Sequence, residues 1–92
     1  LMYELTHNGF KVERQVPIEV MYKGVELGEA YRMDLLVDGK VIIEIKSVRE
    51  LLPVHFKQLL TYLKLQKLRY GYLINFDVNM LKYGINRVVN GY

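Results

Sequence analysis

Apolar and polar side chains alternate from residue 10 to residue 22, and this pattern restricts the fold of the chain more than any other feature. The apolar set shares one parity and consists of Phe10, Val12, Val16, Ile18, Val20 and Tyr22. A period of two is typical of an extended strand with one buried face, whereas an amphipathic helix repeats every three or four residues. The segment is therefore predicted to be a long, half-buried strand.

Two turn signals divide the residues that follow into further strands. Lys23-Gly24 ends the first strand, and residues 27–37 form the second. Asp38-Gly39 then turns the chain into residues 40–47, whose apolar centre predicts a central strand. The first half of the chain should thus form a three-stranded antiparallel meander.

The second half predicts one helix and at least one more strand. Pro53 suits the first turn of a helix over residues 53–67, with an apolar stripe made of Leu52, Phe56, Leu59, Leu60 and Leu63. Residues 70–76 read as a central strand, residues 77–84 as a turn or short helix, and residues 87–89 as an edge strand. The predicted fold class is α+β, a mixed sheet with a helix packed on it. Glycines 24, 28, 39, 71 and 84 are expected in turns and form no phosphate-binding loop.

Length and composition favour one small cytoplasmic domain over residues 1–92. The net charge of +3 is compatible with nucleic acid without arguing for it, and the absence of cysteine excludes disulfides and thiolate zinc sites. No apolar run is long enough to cross a membrane, so no membrane partner is expected. The chain starts inside a helix that ends near Asn8, with Gly9 as its stop, so an upstream segment is expected to be missing.

Three residues on the second and third strands have the chemistry of a metal-dependent hydrolase. Asp34 is separated from Glu44 by nine residues, and Lys46 follows two positions later. Two converging carboxylates make a hard oxygen site suited to Mg²⁺ or Mn²⁺. A neighbouring lysine can stabilise charge that develops on a phosphate. The pattern therefore predicts metal-assisted hydrolysis of phosphodiesters.

Whether Asp34 reaches Glu44 depends on the connection between the two strands. A two-residue turn at Asp38-Gly39 would pair position 34 with Ile43 and place Asp34 on the opposite face. A three-residue loop that includes Lys40, or a bulge, would pair Asp34 with Glu44. A functional site thus requires the loop or the bulge.

An ordinary solvated strand face is the alternative for this group, with Glu44 and Lys46 forming a weak surface pair. The flanking residues argue against it. Glu44 lies within an apolar run from Val41 to Ile45 that reads as buried on both faces. A carboxylate buried there is unfavourable unless a metal or another cation compensates its charge.

The helix and the second strand offer further candidates. His55, Gln58 and Tyr62 fall on one stripe beside the apolar face, from which they could reach a phosphate or a water. A routine polar margin with a half-buried Tyr62 is the alternative. Arg32 lies two residues before Asp34. It could pair with Asp34 or bind a phosphate, and the sequence favours neither outcome over the other.

The same segments resemble the GxxExxY proteins, a family within the PD-(D/E)XK nuclease superfamily. The resemblance rests on residues 28–37, 41–46, 53–55, 58–63 and 73–76, which occur in the family's order. It implies a restriction-endonuclease-like core. The stretch that names the family, with its helical glutamate, does not occur in these residues.

The resemblance also implies a role for individual residues. Asp34 matches the metal-binding aspartate, Glu44 the acidic residue of the E-x-K element, and Lys46 the catalytic lysine. Gln58 and Tyr62 match a Q-x-x-x-Y helix that positions substrate and active-site groups. The backbone carbonyl of Ile45 is expected to complete the metal ligands, and Arg32 and His55 to contact substrate.

The function predicted from these observations is a Mg²⁺- or Mn²⁺-dependent nuclease-like domain, with DNA favoured over RNA as substrate. One alternative keeps the fold as a catalytically inactive module that binds nucleic acid or protein. Another is a non-catalytic homodimer built on the long strand of residues 10–22.

Overall fold

A computed structural model describes residues 2–22, 25–77 and 79–91 of the chain, with side chains described over 5–18, 32–77 and 79–91. The turn predicted at Lys23-Gly24 lies outside the described residues. The elements are α1 (Met2–His7), β1 (Val12–Tyr22), β2 (Val25–Val37), β3 (Val41–Lys46), α2 (Pro53–Gln66), β4 (Tyr70–Asp77) and β5 (Lys82–Val89). No helix within the described part of the chain is long and apolar enough to span a membrane.

The strands form one mixed sheet in the order β1-β2-β3-β4-β5. β1, β2 and β3 are antiparallel neighbours, β3 and β4 are parallel, and β4 and β5 are antiparallel. Helix α2 connects the two parallel strands, because a parallel pair needs a crossover rather than a tight turn. The predicted α+β class, the opening meander and the helix packed on a mixed sheet are confirmed.

The last strand is longer than predicted. Residues 77–84 were expected to hold a turn or short helix, yet β5 begins at Lys82 and pairs with β4 along its whole length. Asp77 makes the preceding turn tight, since its side chain accepts a hydrogen bond from the Asn79 N–H (3.0 Å) and its carbonyl accepts one from Met80 (3.2 Å). Gly84 and Asn86 are residue types that strands disfavour, so the pairing of β5 depends on β4.

Residues at each end of α2 define where the helix begins and ends. Pro53 occupies the first turn, and the His55 Nδ1 accepts a hydrogen bond from the Leu52 N–H (2.9 Å). Lys67 takes a left-handed conformation (φ 57°) at the other end, and the Leu68 N–H then bonds to the Leu63 carbonyl (2.8 Å). The helix therefore ends within one residue of its predicted boundary.

The buried stripe of α2 differs from the predicted one at four positions. Phe56 and Leu60 were expected in it but are only partly buried. Leu59, Tyr62 and Leu63 are the buried residues of the helix. Leu52 was expected in the stripe but is 51 % exposed, because it caps the helix and lies before its first turn. Tyr62 was expected at the border of the apolar face, and it packs in the core instead.

Gly71 lies inside β4 rather than in a turn, where the sequence placed it. A Cβ at this position would lie 3.0 Å from the Leu59 Cδ1 of α2. The missing side chain thus allows the helix to pack closely on the sheet. Gly84 also lies in a strand, β5, where a Cβ would meet nothing within 4 Å.

The core has two parts, one on each face of the sheet. The larger part lies under α2 and consists of Ile18, Met33, Ile42, Leu59, Tyr62, Leu63 and Leu73. The smaller part, on the opposite face, consists of Leu35, Val37 and Ile43, with Leu5 of α1 packed against it. β2 and β3 contribute side chains to both parts of the core. This packing on both faces fixes the position of the two strands.

Candidate active site

The β2–β3 hairpin has the three-residue connection that the site requires. Val37 pairs with Val41, so Asp38, Gly39 and Lys40 form the loop. Asp38 and Gly39 both have positive φ angles, 52° and 64°. The same register, continued past the last backbone pair, sets Asp34 opposite Glu44, and the prediction of a three-residue loop is confirmed.

Asp34 and Glu44 are joined by hydrogen bonds that cross between the two strands. The Asp34 N–H donates to the Glu44 Oε1 (3.2 Å), and the Ile45 N–H donates to the Asp34 Oδ2 (2.8 Å). The regular ladder stops one position earlier, at Leu35 and Ile43. Carboxylate oxygens therefore replace backbone carbonyls as acceptors, which holds both side chains at the point where the strands separate.

An irregularity in β2 lies at the same position. Met33 packs under α2, but Leu35, two residues later, packs on the opposite face. Regular alternation would keep both on one face, so the alternation is interrupted at Asp34. Gln15 on the neighbouring β1 has a positive φ of 50°. Local distortion of this kind is a common means of aiming a functional side chain.

Glu44 is a buried acid next to a second acid. Its side chain is only 3 % exposed. Burial, followed by the negative charge of Asp34, raises the pKa of Glu44 to about 7, and Lys46 only partly opposes this. The prediction of burial on both faces holds for Ile42, Ile43 and Glu44, but it is wrong for Ile45, which is 46 % exposed. The ladder with β2 has already ended at that position.

Lys46 is connected to α2. Its Nζ donates to the Gln58 Oε1 (3.1 Å), and both side chains are partly buried. Strand parity sets Lys46 on the same face of β3 as Glu44. The structure therefore brings together four of the residues singled out in the sequence, namely Asp34, Glu44, Lys46 and Gln58.

The remaining predicted residues have other surroundings. Tyr62 is 4 % exposed and belongs to the core beneath α2. His55 uses its Nδ1 to cap the helix, as described above, and is partly buried. Arg32 lies on β2 with an exposed side chain.

Asn75 is a positioning residue that the sequence analysis did not single out. It lies beside Lys46 in the parallel pair of β3 and β4. Its side-chain amide accepts from the Val48 N–H (3.0 Å) and donates to the Val48 carbonyl (2.9 Å). These two bonds fix the chain where it leaves β3. An asparagine at the end of an apolar strand was the available signal.

The donor set fits a hard divalent cation. Asp34 and Glu44 each use one oxygen for a backbone N–H, and a cation would offset the burial and the repulsion that raise the pKa of Glu44. Among the described residues, no group of three or more His, Cys, Asp and Glu side chains could hold a metal. Two carboxylates and a carbonyl suit Mg²⁺, which usually keeps several waters.

Solved structures share this fold. A structure titled SSO0001 is 22 % identical, with a TM-score of 0.68, and the match covers 99 % of this chain and 48 % of that one. An alkaline exonuclease from Laribacter hongkongensis, LHK-Exo, is 17 % identical, with a TM-score of 0.69 and coverage of 98 % and 52 %. The same exonuclease in complex with dAMP gives the same values. The chain spans about half the length of these structures.

Sequence comparison gives the family. No curated protein matches the chain significantly. The family model of the PD-(D/E)XK nuclease superfamily matches residues 1–88, which is nearly the whole chain. The residues that converge in the structure lie within that match, on the fold that the exonuclease shares. The chain therefore belongs to the PD-(D/E)XK nuclease superfamily.

Proposed function

We propose that this chain is a Mg²⁺- or Mn²⁺-dependent nuclease domain that hydrolyses phosphodiesters of nucleic acid, with DNA preferred over RNA. The proposal rests on one observation: the carboxylates of Asp34 and Glu44 are held against each other, with Lys46 two residues further along the same strand. Membership of the GxxExxY family is part of the proposal.

Each residue has a separate task in this mechanism. Asp34, Glu44 and the carbonyl of Ile45 would hold the cation. When bound, the ion would lower the pKa of a water molecule and polarise the scissile phosphate. Lys46 stabilises the negative charge that develops on the phosphate, and Gln58 keeps the Lys46 ammonium in place.

The comparisons support the choice of substrate. The superfamily generally uses divalent metals, and the structural neighbour LHK-Exo is an alkaline exonuclease solved with dAMP, a deoxynucleotide. Arg32 and His55 are proposed to contact the substrate backbone, and Tyr62 to support the helix that carries Gln58. Because the chain spans about half of these neighbours, activity is best tested on the longest natural form of the protein.

Calorimetry with Mn²⁺ is the first test of the metal site. The parent chain should bind Mn²⁺, and Asp34→Ala and Glu44→Ala should each abolish binding, because both carboxylates belong to one site. Glu50→Ala, which removes an exposed carboxylate from the loop before α2, is the matched control and should leave Mn²⁺ affinity unchanged. Equal binding by the parent chain and Asp34→Ala would refute the proposed ligands.

Lys46→Ala separates catalysis from metal binding. The variant should retain Mn²⁺ affinity but lose cleavage of linear DNA by roughly 100-fold or more, because one electrostatic stabiliser of the transition state is removed. Lys64→Ala, an exposed lysine of α2, is the matched control. Cleavage that persists in Lys46→Ala would contradict the role given to this residue.

A nucleic-acid-binding module without turnover is the second candidate. It is favoured by the small number of acidic ligands, since the described residues supply two carboxylates at the site and no third. In that case a labelled oligonucleotide would bind, but no metal-dependent product would form.

A further inference from the structure

A second concave site lies beside the catalytic lysine. It is a cavity of about 530 Å³ between the start of α2, the loop that follows β3, and the β4–β5 ribbon. Phe56 of α2 and Leu51 supply apolar walls, while Gly84 and Asn86 of β5 are on the sheet side. Its volume lies within the usual range for small-molecule sites.

The cavity lies next to the candidate active site. Asn75 lines it and is also the direct neighbour of Lys46 in the parallel strand pair. β5 is two strands away from β3, so the far wall lies roughly 10 Å from the lysine. A single nucleotide with its phosphate at Lys46 could place its base in the cavity.

The lining favours an uncharged, planar, polar ligand. Arg49 and Lys82 are balanced by Glu50 and Asp77, so the cavity has no net charge to attract a phosphate. The Asn86 side-chain amide has no hydrogen-bond partner among the described residues, so its donor and acceptor are both available. An amide of this kind pairs with the edge of a nucleobase.

One aromatic residue completes this chemistry, and one glycine keeps the space open. Phe56 lines the cavity, so its ring can stack on a base. A Cβ added at Gly84 would meet nothing within 4 Å. A larger side chain there would therefore occupy the cavity without disturbing its neighbours.

We propose that this cavity is a nucleobase pocket, which accepts the base of a nucleotide whose phosphate lies at Lys46. The part of this proposal that concerns the phosphate rests on the proposed nuclease function. The pocket itself does not, because none of its lining residues holds the metal. It requires an unpaired base, so the substrate end at this site is single-stranded.

Nuclear magnetic resonance on the labelled chain without metal tests the pocket. Titration with dAMP should shift the side-chain amide signal of Asn86 and the backbone signal of Gly84, whereas deoxyribose 5-phosphate, which lacks the base, should not. Gly84→Val should abolish the dAMP-dependent shifts while the chain stays folded. Gly91→Val, an equally uncrowded glycine outside the strands and the cavity, should bind dAMP like the parent.

A second variant keeps the pocket testable if Gly84→Val does not fold. Asn86→Leu keeps the branched shape of the side chain but removes its hydrogen bonds, and should weaken dAMP binding roughly tenfold. Equal binding of dAMP and deoxyribose 5-phosphate, or unchanged dAMP binding in both Gly84→Val and Asn86→Leu, would overturn the pocket. Asp34→Ala should lose Mn²⁺ but keep the dAMP shifts at Asn86, so failure of the metal site and failure of the pocket are distinguishable.

Discussion

Glu44 is the residue at which folding and function oppose each other. Glu44 is only 3 % exposed and has a second acid beside it. Both features disfavour the charged form of its carboxyl group, and its pKa is raised to about 7. The hydrogen bond that it accepts from the Asp34 N–H keeps it in place in spite of this. A cation bound between the two acids would favour the charged form of Glu44. The unfavourable ionisation of Glu44 is therefore a property of the metal-free chain.

Glu44→Gln should therefore make the metal-free chain more stable at high pH. The folded pKa of about 7 lies above the ordinary value of 4.5, so the folded state holds more protons in this range and its stability falls as pH rises from about 4.5 to about 7. Glutamine has no such proton to lose and keeps the oxygen that accepts from Asp34. The variant should match the parent near pH 4 and exceed it by roughly 2–3 kcal/mol at pH 8.

Urea unfolding in the presence of a chelator, at several pH values, measures this difference. Glu50→Gln, which removes an exposed negative charge from the loop before α2, controls for the change in net charge. A difference between Glu44→Gln and the parent that does not change with pH would contradict the assignment of the raised pKa.

At the scale of elements, the β2–β3 hairpin decides whether a site exists. Its three-residue loop sets Asp34 opposite Glu44, and a loop shorter by one residue would set Asp34 opposite Ile43. Deletion of Lys40 should therefore abolish Mn²⁺ binding, measured by calorimetry. Lys40→Ala keeps the loop length and should bind Mn²⁺ like the parent. Unchanged affinity in the deletion variant would show that the register does not position the ligands.

The contact between α2 and β4 depends on a glycine in the same way. Gly71→Ala should destabilise the fold by about 1–3 kcal/mol in urea unfolding, because the new methyl group would lie 3.0 Å from the Leu59 Cδ1 in a packed core. Gly84→Ala is the matched control in the adjacent strand. It should be neutral or stabilising, since its methyl group meets no atom within 4 Å and alanine reduces the freedom of the unfolded chain. Equal effects of the two substitutions would exclude close packing as the cause.

At the scale of the whole molecule, the candidate site joins three elements, since its two carboxylates lie on β2 and β3 and its lysine is held by α2. An ion that binds only the folded state should stabilise the entire domain. At 100 times its Kd, Mn²⁺ should add about 2.7 kcal/mol and raise the Tm by roughly 10 °C or more. Thermal unfolding with and without Mn²⁺ measures the shift, and Asp34→Ala should abolish it. A shift of the same size in Asp34→Ala would place the binding elsewhere.

The sequence by itself determined the class of fold and predicted the kind of chemistry. The local signals are the alternation of side chains, the turn residues and the proline at the start of α2. They predicted the meander and the helix with boundaries close to the observed ones. The types and spacing of Asp34, Glu44 and Lys46 likewise indicated a hard metal site, because ligand chemistry depends on residue type.

Only the tertiary structure decided how these residues meet. The register of the β2–β3 hairpin and the bond from Lys46 to Gln58 join residues that are separated in sequence, and the alternation of β2 is interrupted at Asp34. No local preference selects among the alternatives at these points. The same holds for β5, which pairs because β4 is beside it, and for Gly71, whose role exists only where Leu59 approaches. Long-range packing and register, rather than local propensity, set these features.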